Sequence, residues 1–153
     1  MDMIQRHLEY ADQWVRNGHG LTIKRRAVST AYYAVFHALA RLCADELLGS
    51  ERETRNSKDY ERIYRALEHK TLRSVFQNAP KDNRALRQIG DRVVLLQSKR
   101  HDADYLPARH VFSKAESLDL IASARSAVTL IGKLSAEERR ALAVRLIIRD
   151  RNP

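Results

Sequence analysis

Eleven consecutive residues, Arg100-His101-Asp102-Ala103-Asp104-Tyr105-Leu106-Pro107-Ala108-Arg109-His110, carry two imidazoles, two carboxylates and two guanidiniums. That mixture could bind a metal or hold an anion. As a metal site, His101, Asp102, Asp104 and His110 offer suitable donor atoms, but no His-x3-His or comparably specific spacing orders them, so no metal is expected. An ion pair between Arg100 and Asp104 at a helix end is the simpler reading. A second set lies along one long helix. Arg26, Thr30, Tyr33, His37 and Arg41 follow steps of four, three, four and four, which line one helical face beside an apolar stripe. This polar seam is either satisfied by neighbouring helices or left to contact a polar ligand or a second subunit. The pair Tyr32-Tyr33 reads as core. No phosphate-binding glycine pattern and no serine-nucleophile elbow occurs, which removes nucleotide triphosphatases and serine hydrolases. No cofactor is expected.

The elements that must position these groups follow from periodicity. Ile4, Leu8, Ala11 and Val15 recur at helical spacing over about Met3 to Val15, and Gly18-His19-Gly20 ends that helix. A second helix, about Thr22 to Leu48, carries both the apolar stripe and the seam, and Gly49 to Ser57 reads as a charged loop. The spacing predicts a third helix over Lys58 to Gln77, closed by Asn78-Ala79-Pro80, because proline cannot continue the hydrogen-bond ladder. A fourth covers Asn83 to Ser98, with Lys99 to Phe112 as an ordered connection. Ser113-Lys-Ala-Glu116 and Ser135-Ala-Glu-Glu138 both match a capping box, starting helices that extend to Leu134 and Arg149.

The 153 residues amount to one domain. Five Gly and three Pro are too few for the tight turns of a sandwich or barrel, so the expectation is an all-α, antiparallel up-and-down bundle with four long helices plus one or two shorter. Residues 1–134 form the bundle and 135–153 a C-terminal helical extension of the same domain. The net charge of +9, with 21 Arg against 7 Lys, favours polyanionic partners such as RNA, DNA or acidic lipid headgroups, and charge alone does not choose among them. The single Cys43 excludes an internal disulfide and paired-cysteine zinc sites, and the cytoplasm is the default compartment. The most apolar stretch, Ala31 to Leu48, is broken by His37, Arg41, Asp45 and Glu46, so no membrane span is expected.

Two strings carry a resemblance. Arg26-Ala27-Val28-Ser29-Thr30-Ala31-Tyr32-Tyr33-Ala34-Val35-Phe36-His37-Ala38 resembles the second-helix signature of the HEPN superfamily, and Arg100-x-x-Ala103-Asp104-Tyr105 resembles an element of one bacterial branch. The resemblance covers Leu8 to Gly132. It implies a helical bundle, commonly a homodimer, and a family history in RNA cleavage, toxin modules, nucleotide binding and partnership with minimal nucleotidyltransferases acting as antitoxins. The ribonuclease branches pair an Arg with a His four to six residues beyond it, the imidazole taking the 2′-OH proton and the guanidinium holding phosphate. The window after Arg100 holds Tyr105, Leu106 and Pro107, with His101 too near and His110 too far. Arg62 and His69 have the literal spacing, which so many arginines produce by chance. The resulting expectation is a dimeric module binding RNA, a nucleotide or a protein partner through Arg26, Tyr33, His37, Arg41, Asp104, Tyr105 and Arg109. Its alternatives are a metal-independent endoribonuclease using Arg100 with His101 or His110, and a purely structural interaction protein.

Overall fold

The computed structural model describes residues 1–79, 82–107 and 111–149. Of the described residues 81% are helical and none lies in a strand. In chain order the helices are α1 (Met3–Asn17), α2 (Leu21–Leu48), α3 (Arg52–Arg55), α4 (Lys58–Tyr64), α5 (His69–Gln77), α6 (Arg84–Tyr105), α7 (Lys114–Gly132) and α8 (Ala136–Ile147). No helix among the described residues is long and apolar enough to cross a membrane.

Asp2 caps α1 by accepting from the Gln5 amide at 3.0 Å. The chain then reverses at Gly20, whose φ of +96° suits glycine, and α2 runs back along α1. Between Ala27 and Ala44, α2 is buried around most of its circumference, the signature of a helix at the centre of a bundle. It packs against α1, α4, α6, α7 and α8. Leu142, Ala143 and Leu146 of α8 join the same core. The outer face of α1 is different: Tyr10 and Trp14 stack there at 6.3 Å, both substantially exposed, with Met3 on the same side.

Three readings are corrected. The stretch Gly49 to Ser57 is not all loop, because it contains α3, and Arg55 at its end forks onto the Asp45 carboxylate at 2.8 and 3.1 Å. The helix expected over Lys58 to Gln77 breaks into α4 and α5. Its apolar residues Tyr60, Tyr64 and Leu67 keep helical spacing, but the next, Leu72, comes five residues later, a step that one helix turns to another face. The break restores the phase, so that Leu67, Leu72 and Phe76 are all buried. Finally, α6 continues seven residues beyond Ser98, through Lys99 to Tyr105. Of the two capping boxes, the one at Ser135 is complete. At Ser113 only the serine half forms, with the Glu116 carboxylate 3.1 Å from Lys99 instead.

Candidate functional site

The last turns of α6, the start of α5 and the middle of α2 converge on one cluster. Arg100 is placed by α6 against α2: its guanidinium lies 5.2 Å from the centre of the Tyr32 ring and 6.0 Å from that of Tyr33, within reach of cation–π attraction. Its side chain is only 13% exposed. Asp104, one turn on, stands 3.5 Å from Arg100 Nη1 and accepts from Ser29 Oγ at 3.5 Å. This is the expected Arg100–Asp104 pair, held loosely.

Beside Arg100 stands His69, the first residue of α5. Its ring packs on Phe36 at 4.4 Å and edge-on to Tyr33 at 6.0 Å. Three hydrogen bonds close a ring around it. Gln97 Nε2 donates to the His69 carbonyl oxygen at 2.7 Å, which fixes the amide orientation because that carbonyl can only accept. The same Nε2 reaches Tyr32 Oη at 3.5 Å, so the Tyr32 oxygen faces a donor on that side. Its own proton therefore goes to His69 Nδ1, 2.6 Å away. Burial pushes the Tyr32 phenol up to about 12, against the opposing effects of Arg100 and the Gln97 bond, and it stays protonated. With Nδ1 accepting, neutral His69 carries its proton on Nε2. Burial, then the Arg100 charge, lowers the His69 pKa below its ordinary value.

A cleft of about 520 Å3 opens next to this cluster, lined by Arg25, Arg26, Ser29, Thr30 and Tyr33 of α2 and by Asp104. Its α6 wall is fixed by Arg25, which donates to the carbonyls of Ala103 at 3.3 Å, Leu106 at 2.7 Å and Pro107. These include carbonyls that the end of a helix leaves without intrahelical donors.

The sequence candidates divide accordingly. Arg26, Tyr33, Arg100 and Asp104 come together. His37 and Arg41 do not: their part of the seam is occupied from within the chain. Tyr64 of α4 bonds His37 Nδ1 at 2.7 Å, and Asp2 pairs with Arg41 at 2.8 Å. Burial, with His7 and Arg41 nearby, lowers the His37 pKa. His101 is exposed and turned about 100° from Arg100 around α6, its ring 5.0 Å from that of Tyr105. Arg109 and His110 lie outside the described residues. Among the described residues no group of three or more His, Cys, Asp or Glu could hold a metal ion. Sequence reasoning missed His69, Gln97 and Arg25. It set His69 aside with Arg62, whereas the arginine beside it in space is Arg100, from another helix.

No family model, no characterised protein and no solved structure matches the chain.

Proposed function

We propose that the chain is a helical recognition module for phosphate-bearing ligands, RNA or a nucleotide, with Arg100, Arg26 and the Nε2–H of His69 as the phosphate donors. The observation that carries this reading is the closed ring through Gln97, Tyr32 and His69. It uses the basic nitrogen of the imidazole internally and leaves a donor next to a guanidinium. Two donors suit an anion, and such charge-assisted bonds are the strong ones. Arg25 and Arg26 against Asp104 leave the cleft positive, in keeping with the +9 of the whole chain. The resemblance of Arg26–Ala38 and Arg100–Tyr105 to the HEPN superfamily supports the same reading. It also suggests work in a toxin–antitoxin or defence system beside a nucleotidyltransferase-type partner.

Fluorescence anisotropy with a mixed-sequence RNA tests it. Binding at about 50 mM salt that weakens steeply by about 200 mM is expected, since each neutralised phosphate releases counterions. Arg100→Ala should weaken it further. Undetectable binding at the lower salt overturns the proposal.

A second reading, a metal-independent endoribonuclease, is favoured by the approach of His69 to Arg100 across two helices. It requires Nε2 to lose its proton so that the imidazole can take one from the ribose 2′-OH, and the Tyr32 bond opposes that tautomer. Cleavage in EDTA that disappears in both Arg100→Ala and His69→Ala would make it the first reading.

A further inference from the structure

Two exposed rings stand at the end of α6 and take no part in the cluster just described. His101 and Tyr105 are four residues apart, so they rise one above the other on one face. Their ring centres are 5.0 Å apart and tilted by 46°. Tyr105 is 67% exposed, and among the described residues its hydroxyl has no partner. A single exposed aromatic needs no explanation. This pair is distinguished by its position and its footing. Asp104 lines the cleft and Arg100 stands in the cluster beside it; they lie on the same two turns, and each precedes one of the two rings by a single residue, about 100° around the helix. The turn that carries Tyr105 is tied down by Arg25 through the carbonyls of Ala103 and Leu106. Little freedom is then lost when a flat ligand settles on the ring.

We propose that Tyr105, backed by His101, is a base-stacking platform that makes the ligand of this chain a single-stranded nucleic acid, one base lying on the Tyr105 ring while a neighbouring phosphate meets Arg100. This rests on the phosphate-recognising reading above. Stacking needs an unpaired base, whose π-face is free, whereas in a duplex that face is covered by its neighbours. The charge of +9 and the arginines of the cleft complement a phosphodiester strand. A ring that uses only its face discriminates poorly among bases, so weak sequence preference is expected.

The experiment measures anisotropy of three labelled probes of equal length on the full chain: a single-stranded RNA, the same phosphodiester backbone without bases, and an RNA duplex. The expected order of affinity is single strand first. Tyr105→Ala should weaken the single strand by roughly 5- to 150-fold, the range of one base–aromatic stack. It should leave the abasic backbone unchanged, and Tyr105→Phe, which keeps the ring, should bind as the native chain does. Arg100→Ala should weaken all three probes. If the abasic backbone binds and Tyr105→Ala leaves the single strand unaffected, the platform is wrong while phosphate recognition stands. The platform is equally wrong if duplex and single strand bind alike. If none of the three binds at about 50 mM salt, the phosphate reading itself has failed and the platform falls with it. Circular dichroism of Tyr105→Ala should match the native spectrum, as this side chain buries little.

Discussion

At the scale of single residues, the decisive group is His69, whose proton is located by its neighbours. Its pKa is held below the ordinary 6.5 by burial and then by Arg100, so near pH 7 it is neutral. An anion bound beside it would favour the imidazolium and draw the pKa upward. Linkage then requires that affinity for phosphate rise as pH falls through the His69 titration, because the bound state takes up a proton. Isothermal titration of the chain with inorganic phosphate or RNA between pH 7.5 and 5.5, about one unit either side of an ordinary imidazole, should show that rise. His69→Gln should flatten it, and an affinity that falls on acidification would contradict the assignment. Arg100 was legible in the sequence because its motif is local. His69 was not, since its meaning depends on a partner 31 residues away, which no spacing rule along one helix can bring to it.

Among the elements, α1, α2, α7 and α8 could be read from periodicity and caps, because each keeps one apolar face from end to end or, like α2, nearly all faces. The failures came where that rule was interrupted. The five-residue step from Leu67 to Leu72 broke a helix without any Pro or Gly to announce it. Conversely, the polar run Lys99 to Asp102 looked like a connection although the fold continues α6 through it, with Ala103 buried and Arg25 gripping its last carbonyls. The joint between α5 and α6 is made at Gly90, where an added Cβ would lie 3.0 Å from Phe76 Cδ1 and 3.2 Å from its Cβ. Gly→Ala inside a helix ordinarily stabilises by up to about 1 kcal/mol. Here overpacking against Phe76 should reverse the sign, so Gly90→Ala is expected to lose about 1–3 kcal/mol. Urea titration reads this directly, and a gain in midpoint would show that Phe76 moves aside. Because α5 carries His69, the same variant should also weaken phosphate binding.

On the scale of the whole molecule, the seam that suggested a second subunit is largely met inside one chain, by Tyr64 on His37 and by Asp2 on Arg41. One surface open to a homodimer contact is the outer face of α1, where Met3, Tyr10 and Trp14 are 41%, 52% and 41% exposed. If a dimer forms there, light scattering should give twice the 17.7 kDa of one chain, and Tyr10→Ser with Trp14→Ser should return it to one. A concentration-independent mass of a single chain in the native protein rules the dimer out. The position of Trp14 has an optical consequence as well. It is the chain's single tryptophan, set on a helix that packs on α2 and α7, whereas the cluster of Tyr32, His69 and Arg100 is built from α2, α5 and α6. Excitation at the red edge of the spectrum therefore isolates one fluorophore already open to solvent in the folded state. Its emission should shift little on unfolding. A marked blue shift on raising protein concentration would report the covering of α1, and ligand titrations would leave its wavelength unchanged.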